Sequence, residues 1–252
     1  MNRRWLINRT NPEYVRYLSR AASISPVLAR VLINRGVKTP SDVRDFLSRG
    51  ITSLSDPFDL PGMVFALDRI KAAVKRGERT LVHGDYDTDG LTATAIMVRA
   101  LKKMGLDVRS YIPNRLIHGY GFNPPSVDAA QKLGVSLIIT VDCGISAFEA
   151  AASAKGKGID VIITDHHEPT KGSSKGKGQR AELNETHDFI LPEAVAVINP
   201  KISNLKSQVS HLSGAGVAFK LVQALAADEA FPSIPMILSL SSTSPRSGRW
   251  RM

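Results

Sequence analysis

The chain has 252 residues, of which 43% are hydrophobic, and it contains 19 glycines and 14 prolines. This composition excludes a wholly disordered or collagen-like protein, and the length suffices for one large core or two modest ones. Lys and Arg number 33 against 23 Asp and Glu, and the resulting net charge of +10 favours an anionic partner, nucleic acid above all.

The single cysteine, Cys143, excludes an internal disulfide framework and a zinc site made of cysteines alone, and it fits a reducing cytoplasm. No apolar run approaches the roughly 18 residues that a membrane helix needs. Only Trp5, Leu6 and Ile7 follow the first arginines before polar residues return, which predicts that no signal peptide is present. We therefore expect a cytoplasmic protein that does not engage a membrane.

Residues 1–75 are predicted to form a small helical N-terminal region. Asn11-Pro12 opens the first helix, a second runs from Pro26 to Ile33, and Thr39-Pro40 starts a third. This region could be a helical cap that contacts DNA, or a packing domain that shields one end of a sheet. The sequence leaves both alternatives open.

Over residues 76–226, short β-rich segments alternate with helical ones. Strands are expected at Thr80–His83, Asp107–Ile112, Val135–Val141, Ile159–Ile163 and Ala194–Ile198, and helices at Leu91–Met104, Pro125–Leu133 and Ala147–Ala154. Apolar runs without alternation indicate strands covered on both faces, and strand–helix alternation indicates parallel strands joined by crossovers. The sequence therefore predicts an α/β fold with a doubly wound, mostly parallel sheet. A basic Gly/Ser/Lys insertion over residues 170–190 is expected to be a solvated surface loop.

Acidic and imidazole side chains follow three of the predicted strands. The segments concerned are His83-Gly84-Asp85-Tyr86-Asp87-Thr88-Asp89-Gly90, Asp142-Cys143-Gly144 and Thr164-Asp165-His166-His167-Glu168. Because ligands of open parallel sheets bind just beyond the carboxyl ends of the strands, these side chains are predicted to meet at one rim. Helix capping explains a single acidic residue, but several carboxylates packed together repel one another unless a cation compensates them.

Oxygen donors mixed with imidazole suit Mn²⁺ or Mg²⁺ better than a structural zinc ion. Two such ions about 3.5–4 Å apart can activate a water and neutralise the charge of a phosphate under in-line attack. In this hypothesis Asp87 and Asp89 each face a different ion, and Asp142 bridges the two. Gly84 and Gly90 allow the backbone to turn tightly and to approach a phosphate at a helix N-terminus.

These motifs resemble those of the DHH phosphoesterase superfamily, and within it the bacterial exonucleases specific for single-stranded DNA. The resemblance covers about residues 1–226 in order, apart from the basic insertion. It is also carried by Leu32-Ile33-Asn34-Arg35-Gly36, by the segment from Asp56 to Met63, by Tyr111-Ile112-Pro113-Asn114-Arg115, by Val197-Ile198-Asn199-Pro200-Lys201, and by the segment from Gly214 to Lys220.

The resemblance implies degradation of single-stranded DNA from 5′ to 3′ with two Mn²⁺ or Mg²⁺ ions, in recombination and repair. It also implies repair proteins, such as a helicase or a single-strand-binding protein, as partners. Carried over residue by residue, it implies the metal ligands Asp87, Asp89, Asp142 and His166, with His83 as a further ligand. It further implies that His167 contacts the scissile phosphate or its leaving group, that Asp85 and Asp165 orient the ligands, and that Arg115 and Gly90 contact substrate phosphates.

Several other residues are interpreted as structural. His118, His187 and His211 are expected to be surface or core polar groups, and Cys143 a small residue in a strand-end turn rather than a nucleophile. Gly214-Ala215-Gly216 does not follow the first strand, so close helix packing explains it better than a dinucleotide loop.

The resemblance ends after Ala226, and residues 227–252 are interpreted as an aberrant tail. The family continues with a segment of the type Asp-Leu-x-Ala-Leu-Gly-Thr-x-Ala-Asp, whose last aspartate is another metal ligand. Codons chosen for Ser242 to Met252 can be regrouped in another frame to spell this segment. The hypothesis is a reading-frame shift near residues 227–241 that impairs the activity, and the nucleotide sequence decides it.

Two other functions are open at this point. The first is a DHH phosphoesterase that hydrolyses short oligonucleotides or pyrophosphate, against which the N-terminal helices and the segment ending at Arg115 argue. The second is an inactive remnant that binds nucleic acid without turnover, with an affinity that falls steeply as salt rises.

Overall fold

The computed structural model describes residues 9–48, 54–114, 119, 121–172, 189–202 and 211–228. The chain divides into two compact units, Met1–Leu54 and Ser55–Met252. Most of the basic insertion and nearly all of the tail from residue 227 onward fall outside the described residues, as do Arg115, His118 and His187. Within the described part of the chain, no helix has the length and hydropathy needed to cross a membrane.

The first unit contains the helices α1 (Pro12–Ala21), α2 (Pro26–Asn34) and α3 (Pro40–Leu47). Each begins with a proline in its first turn, which needs no hydrogen-bond donor there, and follows a polar residue whose side chain caps the helix. Apolar side chains from all three helices form a small core of Val15, Leu18, Ala29, Leu32 and Val43. The three helices therefore form where the sequence predicts them.

The second unit has strands alternating with helices. A short 3₁₀ helix (Pro57–Asp59) precedes α4 (Met63–Arg76), β1 (Arg79–His83), α5 (Thr88–Lys103), β2 (Asp107–Tyr111), α6 (Pro124–Lys132), β3 (Leu137–Val141), α7 (Phe148–Gly156), β4 (Asp160–Thr164), β5 (Thr170–Lys171), β6 (Phe189–Ile190), β7 (Ala196–Ile198) and α8 (Gly214–Ala226). The five-stranded sheet has the order β2-β1-β3-β4-β7, and all of its pairs are parallel. β5 and β6 form a separate antiparallel pair.

Both faces of the sheet are covered, which explains the apolar strands. Leu137, Ile139 and Val141 of β3 belong to the core shared with α4, α5 and α8, whereas Ile138 belongs to the core shared with α6 and α7. All five residues of β3 are buried, as expected for a central strand. The predicted doubly wound α/β fold is confirmed.

Two boundaries differ from the prediction. The units divide after Leu54 rather than at residue 75, because the apolar side of α4 packs into the sheet core. Helix α5 begins at Thr88 rather than at Leu91, because the side chain of Asp87 accepts a hydrogen bond from the Gly90 amide and caps the helix. Asp89 and Gly90 consequently lie in the first helical turn.

Strand register brings distant segments to one edge of the sheet. His83 of β1 lies opposite Thr140 of β3, and Val141 lies opposite Thr164 of β4. The residues that follow these strands therefore emerge at the same level. The chain also changes direction here, since β1 connects to β2 on one side and β3 lies on the other, and such a switch point opens a crevice.

Candidate metal centre

Asp142 follows β3 and is the central residue of the site. It has a left-handed backbone with φ of 60°, and its side chain is 1% exposed. Neither of its carboxylate oxygens has a hydrogen-bond partner among the described residues. Burial, together with the nearby carboxylates of Asp89 and Asp87, raises the pKa of Asp142 to about 7. The protein thus holds a buried carboxylate whose oxygens accept no hydrogen bond from the described residues.

Two groups of donor side chains converge on Asp142. In one, ligand atoms of Asp85, Asp87 and Asp142 all lie within 4.8 Å of one another, and in the other the same holds for Asp142, His166 and His167. Asp142 is common to both groups, which is the arrangement expected of a bridging carboxylate. The loop after β1 supplies Asp85 and Asp87, the loop after β4 supplies His166 and His167, and Asp142 follows β3.

The first group is held by tight packing at the start of α5. Asp87 caps the helix through Oδ1, which accepts a hydrogen bond of 2.8 Å from the Gly90 amide. A Cβ at Gly90 would lie 2.6 Å from the Cβ of Asp85 and equally close to its carbonyl oxygen. Gly90, predicted to contact a phosphate, therefore has a packing role that keeps buried Asp85 against the helix.

The second group is fixed by Asp165, whose side chain is 1% exposed. Its Oδ1 accepts hydrogen bonds from the amides of His166 and His167, and its Oδ2 accepts one from the Ile145 amide. Burial alone would raise the pKa of Asp165, but hydrogen bonds from the His167 side chain and from these amides outweigh it and hold the pKa below its ordinary value. These contacts fix Asp165 relative to the loop after β4 and to the Ile145 amide, and its orienting role stays a prediction.

His167 is aligned by the same carboxylate. Its Nδ1 lies 2.7 Å from Asp165 Oδ1, and because an ionised carboxylate only accepts, this nitrogen carries a proton. The hydrogen bond to Asp165 raises the pKa of His167 above its usual value. Neighbouring His166 points at Asp142, with Nε2 at 3.2 Å from Asp142 Oδ1 and at 3.7 Å from Asp89 Oδ2.

Asp89 joins the site to α8. Its two oxygens accept hydrogen bonds of 2.7 Å from the Gly214 amide and 2.8 Å from the Ala215 amide, at the N-terminus of α8. Burial alone would raise the pKa of Asp89. These hydrogen bonds outweigh the effect of burial and hold the pKa below its ordinary value. Asp89 belongs to neither donor group, so the structure places this predicted ligand at the rim of the site, within reach of His166.

Gly214 is a functional position that sequence reasoning missed. A Cβ at this residue would lie 2.1 Å from Asp142 Oδ1, so only glycine leaves room for the carboxylate. The Gly214-Ala215-Gly216 motif was predicted to serve helix packing, and its packing partner is the site itself. The clue to this role in the sequence was the motif itself, which places two glycines at the start of a helix.

His83 is placed away from both donor groups, contrary to its predicted role as a ligand. Its side chain is fully buried, with Nε2 at 3.0 Å from Ser126 Oγ and Nδ1 at 3.6 Å from Cys143 Sγ. Both ring nitrogens thus face protein partners on the α6 side of the sheet. Burial lowers the pKa of His83 to about 4 and raises that of the Cys143 thiol, so the ring is neutral and the thiol is protonated at neutral pH.

The donor set at Asp142 fits a hard divalent cation. It combines several carboxylates with imidazole and contains no thiolate, which favours Mn²⁺ or Mg²⁺ over a structural zinc ion. The unpartnered oxygens of Asp142 supply the uncompensated negative charge that such an ion would neutralise.

An open parallel sheet with carboxylates and imidazoles gathered at its switch point defines an α/β protein with a candidate metal centre. Residues 79–241 match the model of the DHH family, N-terminal domain. Because this match covers more than half of the chain, the chain belongs to the DHH family. The residues matched include every described member of the two donor groups.

Several curated proteins are similar in sequence to most of this chain. It is 40% identical over 222 residues to the single-stranded-DNA-specific exonuclease RecJ of Bacillus subtilis, covering 88% of this chain and 26% of the relative. The corresponding protein of Escherichia coli is 36% identical, covering 81% of this chain and 32% of the relative. The chain thus spans about a quarter to a third of the length of the curated relatives it matches.

Solved structures agree with this assignment. A crystal structure of RecJ in complex with Mn²⁺ from Thermus thermophilus superposes with a TM-score of 0.60 at 30% identity, over 87% of this chain and 28% of that one. A second structure, of exonuclease RecJ bound to manganese, gives a TM-score of 0.56 at 32% identity, over 74% of this chain and 44% of that one.

The low pKa of His83 predicts a pH-dependent contribution to stability. Since the unfolded state binds the proton near pH 6.5 and the folded state only near 4, this contribution is complete above pH 6.5 and is lost as pH falls through 4. In EDTA, the difference in unfolding free energy between wild type and His83→Gln should shrink by roughly 3 kcal/mol over this window. Urea unfolding at each pH measures it.

The matched control is His211→Gln, which changes an exposed histidine of the same unit. The same urea series on this variant measures the effect of removing an exposed histidine. A difference for His83→Gln that stays constant over the same pH range would contradict the buried, neutral state of His83.

Proposed function

We propose that the protein is a metal-dependent exonuclease that hydrolyses phosphodiesters of single-stranded DNA. The observation that carries this proposal is the buried, unpartnered carboxylate of Asp142 shared by two donor groups in a DHH-family fold. The names of the RecJ relatives and the net charge of +10 support single-stranded DNA as the substrate. The 5′ to 3′ polarity is the one that the family resemblance implies.

In this proposal the two donor groups hold two Mn²⁺ or Mg²⁺ ions. Asp85, Asp87 and Asp142 would hold one ion and Asp142 with His166 the other, and Asp89 is a further candidate ligand because it lies near His166. The ions supply Lewis acidity, which activates water and neutralises phosphate charge. His83 is not part of this set, because its ring nitrogens face Ser126 and Cys143.

His167 is proposed to act on the substrate. Since Asp165 binds Nδ1, the remaining ring nitrogen, Nε2, is the one that can contact a phosphate oxygen or the leaving oxygen. Its raised pKa favours the protonated ring, which stabilises negative charge and can donate a proton to the leaving group. Arg115 is proposed to bind a neighbouring phosphate, as its guanidinium geometry suits.

We also propose that the protein works in the cytoplasm, where its buried free thiol would stay reduced. Partners of the kind implied by the resemblance, a helicase or a single-strand-binding protein, belong to this proposal. The hypothesis of a reading-frame shift near residues 227–241 stays a prediction.

A nuclease assay on the purified chain tests the proposal. With Mn²⁺ present, single-stranded DNA should be degraded and a blunt duplex should not, and EDTA should abolish the reaction. Asp142→Asn should reduce the rate by roughly 100-fold or more, because a shared ligand is lost. Asp128→Asn is the control, since Asp128 is an exposed carboxylate on α6 that pairs with Lys157.

The alternatives give different results in the same assay. Hydrolysis of pyrophosphate or dinucleotides without hydrolysis of longer DNA would identify a small-substrate phosphoesterase. Retention of DNA at low salt, with no turnover and no effect of metal or of Asp142→Asn, would identify a binding remnant.

Gly214 provides a separate test of the metal site. Gly214→Ala should weaken Mn²⁺ binding by at least about tenfold, because the added methyl group would displace Asp142. Gly216→Ala is the matched control, since its nearest atom is a flexible side-chain carbon of Leu212 at 3.2 Å. Calorimetric titration with Mn²⁺ measures both variants, and equal affinities would contradict the assigned place of Asp142 in the site.

A further inference from the structure

A cavity of about 310 Å³ lies beside the candidate metal centre. Its polar lining residues are Asp165, His167 and Ser146, and the other walls are apolar side chains and glycines. The apolar side chains are Phe122, Cys143, Ile145 and Ala147, from the segments before α6 and before α7. None of these four residues is used by the proposed hydrolysis.

The position of the cavity relates it to the substrate. Cys143 directly follows Asp142, and His167 belongs to the donor group around Asp142. A phosphate held between the donor groups and His167 therefore has this cavity next to it. A group that is attached to this phosphate through one sugar can therefore reach the apolar walls of the cavity.

The walls suit a flat aromatic group. Phe122 is almost fully buried, and its ring meets the His83 ring edge to face with centroids 5.3 Å apart, so its orientation is fixed from behind. The volume is at the lower end of the ~300–1,000 Å³ typical of small-molecule sites. A cavity of this volume has room for a nucleobase.

We propose that this cavity receives an unpaired nucleobase next to the scissile phosphate. The inference rests on the proposed function and gives its single-strand requirement a physical cause. A paired base is joined to its partner and stacked on its neighbours, so it enters only after unpairing, which costs free energy. The apolar walls accept any base, because they offer contact area instead of base-specific hydrogen bonds.

Filling the cavity tests the inference. Ala147→Leu places a larger side chain on its wall, and Ala152→Leu makes the same change at an exposed position of α7. The substrates are single-stranded DNA with normal nucleotides at its 5′ end and the same DNA with abasic residues on both sides of the first scissile bond. On normal DNA, Ala147→Leu should lower kcat/KM roughly tenfold or more, whereas Ala152→Leu should not.

The abasic substrate distinguishes occupancy of the cavity from general damage. It lacks the group that the new leucine displaces, so Ala147→Leu and wild type should cleave it with kcat/KM values equal within about twofold. Ser146→Leu, a second change at the cavity wall, should give the same pattern if Ala147→Leu fails to fold. Equal losses on both substrates, or no loss on either, would overturn the inference. Absence of any DNA cleavage by wild type with Mn²⁺ would instead refute the proposed function, and the inference with it.

Discussion

The structure of the second unit is organised around one electrostatic constraint, the buried carboxylate of Asp142. A buried carboxylate that accepts no hydrogen bond is costly to ionise, and this one also lies near Asp87 and Asp89. The absence of a side chain at Gly214 leaves the space that the Asp142 carboxylate occupies. A divalent cation is the simplest compensation for this buried negative charge, and the fold of the second unit positions the residues that would bind it.

The parallel sheet makes this constraint achievable. Its strands end at the same level, so the loops after β1, β3 and β4 meet although they are far apart in sequence. Hydrogen bonds then fix each contribution: Asp87 caps α5, Asp165 holds His167, and Asp89 binds the first amides of α8. The rigid scaffold thus supplies the geometry, and the loops supply the chemistry.

Much of this arrangement was predictable from the sequence. The apolar strands and the strand-end position of Asp142 and His166 place the site at one rim. The face of the sheet on which the His83 side chain lies was also predictable. Side chains alternate along β1, so His83 lies on the same face as Leu81, which packs in the core shared with α6 and α7.

Other features depend on tertiary contacts that no local pattern encodes. Asp89 and Gly214 are hydrogen-bonded across 125 positions of the chain, and only the docking of α8 brings them together. The surface on which α4 packs also cannot be predicted from the sequence. The amphipathic pattern of a helix does not specify which surface the helix covers. The cavity beside His167 is lined by three segments, residues 121–122, residues 143–147 and the loop after β4, which only the folded structure brings together.

The most direct test is the stability of wild type and Asp142→Asn at pH 8, with EDTA and with Mn²⁺. At this pH the Asp142 carboxylate is ionised, because the pH is above its raised pKa of about 7, so without metal its charge destabilises the fold. Asp142→Asn should be the more stable protein in EDTA, and Mn²⁺ should reverse the order by stabilising wild type alone. A wild type that is already more stable in EDTA, or an equal gain from Mn²⁺ in both proteins, would contradict this prediction.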